Sequence, residues 1–267
     1  MTTYITGDIH GSASLLKQRI RSCPYALYPE DEIIIAGDVG LEYGKYIFTD
    51  NELKETMSKY PCNFIIVRGN HDNRYWRDHT YFIHPEQEHF MKQYKMGTAA
   101  NEGWHFEEVN CNIMLVEDKY PNIYYTEDCG GIYCFDNHYV LVCPGAYSID
   151  KSYRIKHQWP YESEEQLTYT EWLDLANLAY KERYNIEAII AHTFPFHVQD
   201  KLEYLFIKDI DQESVDKSSE KWLSIVESSL KPNIYKHFFG GHFHDDKELD
   251  EKYTLLYNNI VKLEDYL

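Results

Sequence analysis

Residues 3–11 read TYITGDIHG, residues 32–40 read EIIIAGDVG and residues 63–72 read NFIIVRGNHD. Each is a short apolar, strand-prone run that stops at or just before a glycine, and Asp or Asn follows that glycine directly. Segments of helical spacing separate them. Leu15, Leu16, Arg19 and Ile20 mark residues 12–20, with Pro24 as a stop, and Leu53, Met57 and Tyr60 mark residues 51–60. The order is βαβαβ, which predicts parallel neighbours joined by right-handed crossovers. The expected class is therefore α/β.

Working outward, the middle of the chain changes character. Runs around residues 113–116, 131–135 and 139–143 have strand character with no long helical pattern between them, which predicts antiparallel or mixed pairing. Helices are expected over 164–182 and 215–230, and strands over 186–191, 234–239 and 254–257. Trp172 and Trp222 fall among leucines at helical spacing and are expected in the core. Neither an internal repeat nor a low-complexity linker is visible, so one domain spanning residues 1–267 is expected.

Composition narrows the function classes. Apolar residues make up 43% and charged residues 26% of 267 residues, as in a soluble globular protein. No apolar run approaches the ~18 residues of a membrane span, and the N-terminus lacks a basic segment followed by an apolar one. The formal charge of −18 repels polyanions and argues against non-specific nucleic-acid binding. The six cysteines form no CxxC pair. They are expected to be mostly buried thiols in a reducing cytoplasm.

The polar residues at the strand ends carry the chemistry. GDIHG (7–11), GDVG (37–40), GNHD (69–72), Ala191-His192-Thr193 and GGHFH (240–244) each follow an apolar run, where open α/β sheets gather their ligands. Asp8 and His10, like His242 and His244, sit two apart, which in an extended segment turns both to one side. Singly, Asp8 or Asp38 could be a turn or cap residue and His192 a core histidine. Together, Asp8, His10, Asp38, Asn70, His192, His242 and His244 are too many N and O donors for one tetrahedral ion and suit two ions sharing a carboxylate. Mixed imidazole and carboxylate ligation points to Zn, Fe, Mn or Ni. The acidic run 245–251 reads as solvated surface.

With these blocks in this order across residues 7–244, the sequence resembles the calcineurin-like metallophosphoesterase superfamily. GDIHG with RGNHD is similar to its bacterial and phage protein-phosphatase-like branch. The resemblance implies a four-layer α/β/β/α sandwich around two mixed sheets. It implies one metal on Asp8, His10 and His244, a second on Asn70, His192 and His242, and Asp38 bridging them together with a hydroxide that attacks phosphorus. It also implies that His71 protonates the leaving oxygen while Asp72 orients it. The expected substrate is a phosphomonoester, phosphodiester or nucleotide.

The second block departs from the branch pattern GDxVDRG: it reads GDVGLEYG, without the Asp-Arg pair. Arg68, Arg74, Arg77 and Arg154 are candidates to replace the phosphate-clamping arginine. Residues 143–162, with Asp150, Lys151, Arg154, His157 and Trp159, could shape the pocket, and His197 could join it. Two other functions stay open: a serine/threonine protein phosphatase or diadenosine-polyphosphate hydrolase, and a non-catalytic metal-binding scaffold that docks a protein partner.

Overall fold

The computed structural model describes residues 1–41, 47–78, 103–157, 165–206, 210–231 and 235–267. Two mixed sheets lie face to face. The first holds β1 (Thr3–Thr6), β2 (Glu32–Ala36), β3 (Asn63–Val67), β4 (Trp104–Val109), β5 (Asn112–Glu117), β6 (Ile123–Tyr125) and β13 (Val261–Lys262), in the order β13-β1-β2-β3-β6-β5-β4. The second holds β7 (Gly131–Phe135), β8 (His138–Cys143), β9 (Ile186–Ala191), β10 (His237–Gly240), β11 (Lys247–Glu248) and β12 (Tyr253–Leu255), in the order β11-β12-β10-β9-β8-β7. The parallel pairs expected from the opening are present: β1 with β2, and β2 with β3.

Period-two alternation sorts each strand between two cores. Ile34 and Ala36 of β2 meet Val140, Val142, Ile190 and Phe239 in the layer between the sheets. Ile33 and Ile35 face outward, onto Leu16 of α1 (Ala13–Ser22) and Leu53 and Met57 of α2 (Ile47–Met57). On the far side, α5 (Tyr169–Glu182) and α6 (Ser218–Ser229) cover the second sheet through Trp172, Leu175, Leu223 and Val226. Shorter helices are α3 (Tyr75–Asp78) and α4 (Lys151–Lys156). The result is a four-layer α/β/β/α sandwich. Its central strands are buried on both faces, which is why they read as unbroken apolar runs.

Several boundaries differ from expectation for local reasons. α5 starts at Tyr169 rather than 164, because Thr168 and Glu171 form a reciprocal capping box; residue 164 itself lies outside the described residues. The strand expected over 234–239 runs from His237 to Gly240, and residue 234 also lies outside them. Strands β6, β11 and β13, at two or three residues, are too short to leave a periodic signal. Cys62, Cys129 and Cys143 are buried, Cys23 and Cys134 partly so, and Cys111 is exposed; all six are free thiols.

Candidate metal centre

The carboxyl ends of β1, β2, β3, β9 and β10 meet at one rim, and all seven expected ligands lie there. His10, Asp38, Asn70, His71, His242 and His244 line a cavity of about 320 Å³. Asp8 and His192 are fully buried beneath it. Three groups of donor atoms lie within 4.8 Å of one another: Asp8, His10 and His244; Asp38, His192 and His242; and His10, Asp38 and His71. These are candidate clusters for divalent metal ions.

Backbone conformation, not an extended segment, turns the paired residues inward. His10, Asp38, His242 and His244 have φ of 49°, 46°, 71° and 53°. Left-handed backbone costs a residue with a side chain roughly 1–3 kcal/mol, and persists where surrounding bonds enforce it. Here the N–H groups of Ile9 and His10 both donate to the Asp38 carbonyl, at 2.9 and 2.8 Å. The His71 N–H donates to Asp38 Oδ1 at 2.6 Å, and the His242 N–H donates to Asp8 Oδ1 at 3.0 Å. Glycine is required alongside. A Cβ on Gly69 would overlap Asp38, and one on Gly37, itself at φ 95°, would overlap the His192 ring.

The donor set can be tested for fit to a cation. His192 Nδ1 lies 2.9 Å from the Ala36 carbonyl, so that nitrogen carries the proton in the neutral ring and Nε2 offers a lone pair. Nε2 faces Asn70 Oδ1 at 2.8 Å and Asp38 Oδ1 at 3.3 Å. Asn70 Nδ2 donates to Ser148 Oγ at 2.6 Å, which fixes the amide with its oxygen toward His192. His10 Nε2 and His244 Nε2 stand 2.9 Å apart, and the buried Asp8 Oδ2 lies 3.1 Å from His244 Nε2. Each of these contacts brings lone pairs together and is satisfied by a positive charge between them, a proton or a metal, so the residues fit divalent cations.

Electrostatics agree. Burial opposes ionisation of Asp8 and Asp38, yet the surrounding imidazoles outweigh it and hold both below the ordinary carboxylate range, Asp38 the further. Burial pushes His242 down to about 3 and also lowers His10, leaving their lone pairs free. For His192 and His71, burial is outweighed by Asp38, joined by Asp8 at the first and Asp150 at the second; each rises to about 9. The carboxylates make this rim a place where positive charge is stable, whether as a proton or as a metal.

Asp72 has partners other than the expected ring. Its carboxylate is fully buried and accepts N–H bonds from Gly40 at 2.7 Å, Gly69 at 2.7 Å and Val39 at 3.3 Å. Besides Asp38, the carboxylate beside the His71 ring is that of Asp150, 3.7 Å from Nε2. Ser148 and Asp150 both belong to the loop after β8, and Asp150 has only its placement in the 143–162 segment as a sequence signal.

Arg68 is fully buried and bonds the Asp128 and Glu165 carbonyls rather than facing the cleft. Arg74 pairs with Glu171, and Arg154 bridges Asp150 and Glu165. The Arg77 side chain and Trp159 lie outside the described residues. His197 sits away from the rim, against Tyr253 and Glu227. His157 is exposed at the end of α4. The acidic run is not merely solvated, since Asp246 accepts the N–H groups of Tyr257, Asn258 and Asn259.

Among curated proteins none matches the chain significantly. Among solved structures, the phosphopantetheinyl hydrolase PptH of Mycobacterium tuberculosis is 12% identical, with a TM-score of 0.42, covering 96% of this chain and 88% of its own. A protein of unknown function from Aquifex aeolicus is 13% identical, with a TM-score of 0.33, over 72% of this chain and 80% of its own. The sulfate thiohydrolase SoxB of Thermus thermophilus is 12% identical at a TM-score of 0.33, and the match spans 95% of this chain but 38% of SoxB. The model of the family described as calcineurin-like phosphoesterase matches residues 1–246. With that match over most of its length, the chain belongs to the calcineurin-like phosphoesterase family.

Proposed function

We propose that this protein hydrolyses small organic phosphoesters at a two-metal centre. The observation that carries the reading is the convergence of seven N and O ligands, with the His71 ring beside them, at the floor of one cavity. Asp8, His10 and His244 would hold one ion and Asn70, His192 and His242 the other, with the Asp38 carboxylate within reach of both groups. Divalent ions held this way polarise phosphoryl oxygens and lower the pKa of a bound water.

The chain's own residues do the remainder. His71 donates a proton to the leaving oxygen, and Asp150 holds its ring in orientation. Ser148 fixes the Asn70 amide so that its oxygen faces the ligand cluster. Asp72 ties the loop carrying Asp38 to the loop carrying Asn70, which keeps the two halves of the donor set in register. The mechanism needs no serine or cysteine nucleophile. Phosphoprotein phosphatase activity is the weaker reading, because the Asp-Arg pair is absent and Arg68, Arg74 and Arg154 are each engaged elsewhere.

The test is hydrolysis of p-nitrophenyl phosphate and bis-p-nitrophenyl phosphate by metal-stripped protein, with Mn, Ni, Zn, Fe(II) and Mg restored in turn. Turnover should return with metal and collapse in Asp38→Asn and His71→Ala, with the folded state retained in both. Binding of two ions with no turnover of either ester under any metal would defeat the proposal in favour of a metal-binding scaffold.

A further inference from the structure

The outer wall of the cavity is chemically unlike its floor. Leu205, Phe206, Val215 and Phe243 form it, with Lys217 and Glu220 set among them. The Phe206 and Phe243 ring centroids lie 6.3 Å apart, and Lys217 Nζ lies 4.8 Å from the Phe206 centroid. Lys217 is half-buried, and burial lowers its pKa. It donates to Gln199 Oε1 at 3.2 Å, which leaves two of its three N–H donors for other partners. Among the described lining residues it is the single Lys or Arg.

Glu220 supplies a second, independent mark on this wall. It is 4% exposed; one oxygen accepts from Thr193 Oγ1 at 3.3 Å, and Oε2 is buried with no hydrogen-bond partner. A buried polar atom left unpaired costs roughly 1–3 kcal/mol, so its presence beside a cavity points to a ligand with a group that donates to it. Burial pushes the Glu220 carboxyl up, and the Lys217 charge draws it back. The chain as a whole carries −18, and an anionic ligand entering this cleft meets the Lys217 ammonium here.

We propose that this wall is the subsite for the organic half of the substrate, and that Lys217 selects phosphoesters whose apolar body carries an additional anionic group. The phosphoryl group sits on the floor, the apolar body against Phe206 and Phe243, and the anion on Lys217. This rests on the phosphoesterase reading above for which end of the ligand lies on the floor. The cavity volume of about 320 Å³ sets the scale of the ligand at a small molecule.

Calorimetric titration of the manganese-loaded protein with benzylphosphonate and 4-carboxybenzylphosphonate tests it, because neither compound can be hydrolysed. The wild-type protein should bind the carboxylated ligand at least tenfold more tightly. Lys217→Met should abolish that preference while leaving benzylphosphonate within threefold of wild type, and Lys217→Arg should keep most of the preference. No preference in the wild type, an unchanged preference in Lys217→Met, or no binding of either phosphonate would each overturn the proposal. Phenyl phosphate turnover measured in parallel separates the two readings. Turnover without a carboxylate preference removes the subsite and leaves the phosphoesterase. A carboxylate preference lost in Lys217→Met, with no turnover under any metal, removes the phosphoesterase and leaves the subsite.

Discussion

Replacing Asp72 with alanine separates a structural carboxylate from a catalytic one. In the structure the side chain spans two loops, accepting from Gly40 at 2.7 Å, Gly69 at 2.7 Å and Val39 at 3.3 Å. A hydrogen bond to a charged group contributes about 1.5–3 kcal/mol net, and the two short bonds give roughly 3–6 kcal/mol; the longest adds little. Against this stands the cost of keeping the carboxylate ionised. Burial first, and the nearby Asp38 second, push Asp72 up to about 6, so removing the group also removes an unfavourable charge. The lower end of the range should win, about 3 kcal/mol. For a protein of this size that corresponds to a fall in melting temperature of roughly 6–12 °C.

The assay is thermal unfolding of the metal-stripped protein by circular dichroism, with His71→Ala as the comparison. His71→Ala should lower turnover by about 10²–10⁴ and also lower melting, because Asp38 and Asp150 hold the ring charged in the metal-stripped protein. Asp72→Ala should do both. If Asp72→Ala melts within 2 °C of wild type yet loses activity to the same degree as His71→Ala, the carboxylate acts on the ring, and the loop-tying role is refuted.

Three further outcomes follow from neighbouring contacts. Ser148→Ala removes the 2.6 Å bond that orients Asn70, and should weaken one of the two bound ions by about 10–100-fold while sparing the other; equal loss at both, by metal titration, would contradict it. Gly37→Ala places a Cβ in the His192 ring at φ 95°, and should abolish binding of that ion and lower soluble yield; an unaltered two-ion stoichiometry would contradict that overlap. His237 is buried against Thr254 Oγ1, and burial pushes it from 6.5 down to about 4, partly countered by Glu248 and Asp250. Its native form is neutral, so stability falls as pH drops from 6.5 towards 4 and levels off below, by about 2 kcal/mol after allowance for solvent screening. His237→Gln should flatten that part of the melting-temperature profile, and parallel profiles for the two proteins would refute the assignment.

The legible part of this protein is the part where chemistry and topology demand the same residues. Strands β1, β2 and β3 are covered on both faces, so they appear as apolar runs, and the sharp turns at their ends require glycine next to the candidate ligand. Asp8, Asp38, Asn70 and the histidines stand out because few other side chains bind transition metals. What surrounds them is less legible, because its meaning depends on contacts between distant segments. Ser148 reaches Asn70 across 78 positions, and Asp150 meets His71 from the same loop. Asp72, next to the motif histidine, accepts from three backbone N–H groups on two loops, and nothing in the spacing of the sequence points to those partners.

Arg19 carries more than the helical spacing it marks. It occupies the apolar stripe of α1 three residues after Leu16, a position where a charged side chain must be either snorkelling or paired. The side chain is 2% exposed and donates to the carbonyls of Gly7 and Asp8 and to Thr6 Oγ1. Those carbonyls are freed where β1 stops pairing, and a buried C=O without a donor is costly. An arginine on the buried face of the helix that follows the strand satisfies them and fixes the backbone from which the Asp8 carboxylate projects. The apolar pattern of a helix therefore carries functional information at the position that breaks it, provided the element before it ends in a ligand.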